Sequence, residues 1–175
     1  MSIYDYDNDF AHYELDKDAR KKLGQIWTPY SIIEQMMDKH GLITDKNSVW
    51  KDETQTDLDP TMGSGNIVIA MLYRRIVQCD QNPVVALSNV YGVELDSKTL
   101  TYARERIYKF MKTVEKKSGA KWSKKDWQNI HDIIYCKNPF TKCENPNFVC
   151  SDIFKWDIAN WRPKTNDAGI DTFLM

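Results

Sequence analysis

Apolar residues in this chain alternate between helical spacing and short continuous runs, and the two kinds of stretch follow one another along the sequence. Ile32, Ile33, Met36 and Met37 fall in a helix predicted over 32–40, with Pro29 in an entry turn, Ser31 placed to cap it and Gly41 just past its end. The segments 54–59, 89–95 and 147–152 read as strands, and 170–175 as a fourth. Helices are expected over 66–78, 97–116 and 124–134. In the longest of these, Leu100, Ala103, Ile107, Phe110, Met111 and Val114 recur at helical spacing. Residues 1–23, rich in Asp, Tyr and Lys, read as an N-terminal arm with a short helix around Leu15 to Leu23, and 24–175 as one domain. Strand alternating with helix implies an α/β fold with a mainly parallel sheet covered by helices on both faces. Ligands of such sheets bind at the carboxyl ends of the strands, where Asp59, Glu94 and Asp152 all fall.

The turn after the first strand carries the most specific chemistry. Asp59-Pro60-Thr61-Met62-Gly63-Ser64-Gly65 sets two glycines one residue apart, which lets the backbone take positive φ and lets a ligand approach closely. The helix that follows offers free N–H groups to an anion, carboxylate as well as phosphate. Val68 stands where a dinucleotide fingerprint carries a third small residue, and no Gly-Lys-Ser/Thr follows the turn. Pyrophosphate is thereby disfavoured. A nucleoside with a small charged tail remains, and Glu94, closing the second strand, is a suitable acceptor for ribose hydroxyls.

Four segments in order carry a family resemblance: Gly24-Gln25-Ile26-Trp27-Thr28-Pro29-Tyr30, Asp59 to Gly65, Tyr91-Gly92-Val93-Glu94-Leu95-Asp96, and Ser151-Asp152-Ile153-Phe154. With them the chain resembles the adenine-N6 DNA methyltransferases of restriction–modification systems and phages, which use S-adenosylmethionine (SAM). The resemblance implies a class I, Rossmann-like domain. It also implies a SAM site in which Gln25, Thr28 and Pro29 cover the methionine end, Thr28 bonding its carboxylate. Asp59, Met62, Gly63 and Gly65 would hold the amino acid part, and Glu94, beside Leu95, the ribose. Asp152 would accept from the adenine amino group, with Ile153 and Phe154 beside the ring. DNA is the partner the resemblance implies, and a bacterial or phage origin suits it.

The family's catalytic tetrapeptide, Asn or Asp followed by Pro-Pro and Tyr or Phe, does not occur in the sequence. In the family it ends the fourth strand and receives a flipped-out adenine. Here 170–175 reads as that strand and stops where the tetrapeptide would begin, so the fold is expected to be incomplete at the C-terminus and no catalytic residue is assigned. Asn138-Pro139-Phe140 is out of order and reads as a turn. The expectation is a methyltransferase domain that needs a missing C-terminal segment, or a second polypeptide, for methyl transfer. The alternative is a catalytically inactive SAM-binding protein that regulates or inhibits a partner or a DNA-modification system.

Charge adds little to the nucleic-acid case, because a net charge of -1 and a pI of about 6.3 give no global attraction to phosphate. The local run Lys109, Lys112, Lys116, Lys117, Lys121, Lys124 and Lys125, interrupted by Trp122 and Trp127, reads first as a solvated helix face. No apolar run approaches membrane-spanning length and the acidic, polar start is unlike a secretory signal, so a cytoplasmic location with reduced thiols is expected. Cys136, Cys143 and Cys150 lack the paired spacing of zinc sites, no metal is expected, and Cys150 reads as a buried small hydrophobe. His12, His40 and His131 are scattered and form no catalytic set.

Overall fold

The computed structural model describes residues 2–7 and 28–164. Gln25, the expected helix around Leu15 to Leu23 and the expected strand over 170–175 lie outside the described residues. Three strands, β1 (Asp57–Asp59), β2 (Val90–Glu94) and β3 (Phe148–Cys150), form a parallel sheet in the order β1-β2-β3. The register pairs Asp59 with Gly92 and Glu94 with Cys150, which brings the strand ends to one rim. This is an α/β arrangement compatible with a Rossmann-like fold.

Each strand is shorter than the segment expected to form it. At β1 the reason is local: Thr54 N–H and Oγ1 donate to Asp52 Oδ1, and Gln55 N–H donates to Asp52 O. That turn keeps 54–56 off the sheet. The helices follow in order: α1 (Tyr30–His40), α2 (Asn66–Leu72), α3 (Pro83–Ser88), α4 (Ser97–Ser118) and α5 (Lys124–Tyr135). α1 opens one residue before the expected cap, with Ser31 inside it, because Pro29 O accepts from both Ile32 and Ile33 N–H. Its far end is closed by Gly41, whose N–H donates to Met37 O at 3.0 Å and whose carbonyl accepts from Trp50 Nε1 at 2.7 Å.

α2 runs on into a π turn over Tyr73–Gln78, closed by Cys79 N–H donating to Arg74 O. The expected helix over 66–78 is present but widened. The widening coincides with two buried guanidiniums: Arg74 pairs with Asp38 at 2.7 Å and Arg75 with Asp57 at 2.6 Å, both within 6 Å of the Trp50 ring. α3 does not show in the pattern of long apolar stretches. It is capped by Asn82, whose side chain accepts from Val84 and Val85 N–H, and it starts at Pro83. Ser123 and Asp126 cap α5 reciprocally.

The helices supply one core with Val90 and Phe148 of the sheet. On the opposite face Leu58, Tyr91, Val93 and Val149 meet Trp156 and Trp161, which flank a small antiparallel hairpin of β4 (Trp156–Asp157) and β5 (Arg162–Pro163). Among the described residues, therefore, helices cover one face and a tryptophan pair covers the other, where helices were expected on both. The Ser2–Asp7 segment also departs from a loose arm: Ile3 is fully buried and Tyr6 packs edge-on to Tyr73. β1 lies at the sheet edge among the described residues. A cavity of about 320 Å³ opens beside it, between α1, Trp50 and α2. No helix among the described residues is long and apolar enough to cross a membrane.

Candidate functional site

The rim at the carboxyl ends of the strands gathers most of the expected site residues. From Asp59 the chain leaves β1 through Pro60 and enters a turn whose glycines both take positive φ, +52° at Gly63 and +87° at Gly65. Gly65 precedes α2, and its own N–H donates back to Met62 O at 2.8 Å. Met62 N–H donates to Val93 O at 2.9 Å, so the turn folds over the end of β2. The close packing beneath depends on Gly92, where a Cβ would sit 2.5 Å from Met62 Sδ and 3.2 Å from the Phe148 ring.

Two carboxylates sit below this turn. Glu94, 7% exposed, spans two backbone donors: Oε2 accepts from Gly63 N–H at 2.8 Å and Oε1 from Asp96 N–H at 2.9 Å. Asp59, 4% exposed, accepts from Thr61 N–H through Oδ1 at 3.2 Å, while its buried Oδ2 has no hydrogen-bond partner among the described residues. Burial pushes the Asp59 carboxyl up to about 6; the Thr61 bond pulls the other way and the nearby Glu94 charge pushes it further up. A buried acceptor without a donor, beside a second carboxylate, suits a cationic or hydroxyl-bearing ligand.

The third strand end is joined to the same rim, since Ser151 N–H donates to Glu94 O at 3.0 Å. Asp152 follows, half-buried, and caps a single 3-10 turn over Ile153–Lys155 by accepting from Phe154 N–H at 3.0 Å. Its capping role is the ordinary one for an acidic residue after a strand. Leu95 and Phe154 are 65% and 83% exposed, which leaves two large apolar side chains uncovered at the ends of β2 and β3; Ile153 is half-buried. Thr28 and Pro29 stand at the entry to α1, which packs against α2. Their described contacts belong to α1 and do not join them to Asp59 or Glu94.

Cys150 is exposed at the rim, its Sγ 3.5 Å from Leu95 O, and is no buried hydrophobe: it is the last residue of β3, beyond the buried Phe148 and Val149. Asn138 is fully buried at the opposite ends of the strands, where its Nδ2 donates to Ser88 O and Asn147 Oδ1. Asn138-Pro139-Phe140 is thus a structural turn remote from the rim, as its place in the sequence suggests. The cysteines do not converge. Cys136 instead meets His131 and Asp132 at the exposed end of α5, their ligand atoms within 4.8 Å of one another. The basic run is solvent-exposed, but Trp122 and Trp127 are packed together over Glu115, which accepts from Trp122 N–H and Trp127 Nε1. They are not free to stack on bases.

The residue that sequence reasoning missed is Arg106, on the buried stripe of α4, whose Nη1 donates to Ser64 O at 2.6 Å and to Asn66 Oδ1 at 3.0 Å. The signal was a charged residue between Ala103 and Ile107 on an apolar face. No family model, no curated protein and no solved structure matches the chain.

Proposed function

We propose that this chain is the cofactor-binding part of a class I, Rossmann-like methyltransferase of the adenine-N6 DNA type, with SAM as its ligand. The observation that carries the reading is the pair of buried carboxylates, Asp59, whose Oδ2 has no partner among the described residues, and Glu94 beside it, under a left-handed glycine turn at the rim of a parallel sheet. A ligand with an ammonium group and a ribose diol complements that pair.

The residues present fit such a ligand in donor and acceptor type. Asp59 offers an acceptor to the ammonium, Glu94 offers remaining lone pairs to the ribose hydroxyls, and exposed Leu95 and Phe154 offer apolar surface to the adenine. Asp152, already capping its own turn through Oδ1, retains acceptor capacity for the adenine amino group. When bound, SAM supplies an electrophilic methyl group. Glu94 Oε2 and Oε1 each spend one lone pair on a backbone donor, Gly63 N–H and Asp96 N–H, so one remains on each oxygen for a diol.

Methyl transfer to adenine in DNA then requires a catalytic tetrapeptide that these 175 residues do not contain, supplied by a further segment or by a second polypeptide. The structural use of Asn138 removes the nearest substitute and favours, as second reading, a SAM-binding protein that regulates a partner or a DNA-modification system. Thermal unfolding in the presence of SAM, S-adenosylhomocysteine, adenosine or ATP tests the ligand class. The reading requires the midpoint to rise with the first two well above the others, and an equal or larger rise with ATP contradicts it. Methyl transfer to adenine-containing DNA by the isolated chain would exclude the inactive reading.

A further inference from the structure

Arg106 reaches two segments that lie far apart in the sequence. Its guanidinium, 1% exposed, grips Ser64 and Asn66 on either side of Gly65, and its Nη2 donates to Asp7 Oδ2 at 2.5 Å. On the same face of α4, Ala103 Cβ lies 3.5 Å from where a Cβ on Gly65 would be, so α4 backs the whole base of the turn. A guanidinium withdrawn from water holds its place only while a carboxylate faces it. Asp7 supplies that carboxylate.

Asp7 is itself held by a short segment, Ser2–Asp7. Ser2 and Asp5 cap the turn Ile3–Asp5 reciprocally, Ile3 is fully buried, and the Tyr6 ring packs 5.5 Å from Tyr73 and 6.1 Å from Phe110 between centroids. Lys117 on the last turn of α4 lies over the outer face of the same ring, at 5.4 Å.

We propose that Ser2–Asp7 is a clasp that sets the affinity of the glycine turn for its ligand. Docked, it keeps Arg106 on Ser64 and Asn66, so that the base of the turn stays fixed beneath Gly63 and Glu94. Undocked, by a partner that captures the segment or by cleavage within it, it leaves Arg106 without its counter-ion and loosens the turn. Asp7 and Arg106 are positioning residues. The inference rests on the SAM reading of the turn for the identity of the ligand, not for the coupling itself. Linkage makes the coupling reciprocal, so ligand binding also strengthens docking of Ser2–Asp7.

Hydrogen exchange and SAM titration of Asp7→Asn, with Ile130→Val in α5 as a control for general loss of stability, test the clasp. In the ligand-free protein the Gly65 and Ile69 amides are expected to exchange at least tenfold faster in Asp7→Asn and at an unchanged rate in Ile130→Val. SAM affinity should fall at least fivefold in the first variant only, and Asp7→Glu should restore part of it. Unchanged exchange in Asp7→Asn, or an equal effect in Ile130→Val, overturns the proposal. If Asp7→Asn does not fold, Tyr6→Leu, which weakens docking of the same segment and with it the Asp7–Arg106 pair, is read in the same way. If the wild-type chain binds no SAM, the exchange measurement still decides the clasp, and only the identity of the ligand falls.

Discussion

Glu94 Oε2 accepts the Gly63 N–H at 2.8 Å, joining the end of β2 to the tip of the glycine turn across 31 positions of sequence. The same carboxylate accepts from Asp96 N–H, so it organises the turn before any ligand arrives. A hydrogen bond to a charged group contributes roughly 1.5–3 kcal/mol. Glu94→Gln should therefore lower stability by about 1–2 kcal/mol, measured by urea unfolding, as well as weaken the ligand.

Asp59 makes stability and binding pull in opposite directions with pH. Its folded pKa, about 6, lies above the unfolded value, 3.8, so its contribution to stability is full below 3.8 and is lost as pH rises through 6. A displacement of that size corresponds to about 3 kcal/mol. Asp59→Asn should unfold at a higher temperature than wild type at pH 8, and that advantage should disappear by pH 4. Attraction to an ammonium needs the ionised form, so SAM affinity of the wild-type chain should rise between pH 5 and pH 7.5, and Asp59→Asn should lose this dependence. A flat calorimetric profile for the wild type would contradict the role given to Asp59.

Phe154 is 83% exposed and has little to lose on truncation in the free protein. Stacking on a base is worth about 1–3 kcal/mol. Phe154→Ala should thus weaken SAM by about fivefold or more while leaving the unfolding midpoint within a degree or two of wild type.

Asn147 provides the opposite control. Its Nδ2 donates to Leu87 O, Ser88 O and Val90 O, at about 3 Å each, and it lies at the ends of the strands away from the rim. Asn147→Ala should cost roughly 1–3 kcal/mol of stability by stranding buried carbonyls, with SAM affinity per folded molecule unchanged.

Gly92→Ala places a methyl 2.5 Å from Met62 Sδ and 3.3 Å from Met62 Cβ. Overpacking of this kind costs about 1–3 kcal/mol. Because Met62 N–H is bonded to Val93 O at the start of the turn, the variant should lose SAM affinity as well as stability, unlike Asn147→Ala.

Much of this arrangement was legible in the sequence because the signals are local. Acidic residues closing the expected strands at Asp59 and Glu94, and the paired glycines between them, do meet at one rim of a parallel sheet. The helix expected over 97–116 follows from its apolar stripe, and α4 runs Ser97–Ser118. What stayed hidden depends on distant partners. The π turn at Tyr73–Gln78 accompanies Arg74 and Arg75, whose carboxylates come from α1 and β1. The Asp7–Arg106 pair joins residues 99 positions apart, and no periodicity reports it. The tryptophans on the second face lie in a hairpin too short to show alternation. Asn82-Pro83, a cap followed by proline at the first helical position, was a readable sign of α3.

Calorimetric titration of the purified chain with SAM, beside Glu94→Ala, decides whether this rim is a SAM site. Saturable binding is expected, weakened in Glu94→Ala by more than about tenfold, or about 1.4 kcal/mol. Absence of binding by the folded wild-type chain, or equal affinity in the variant, would contradict a SAM site at this rim.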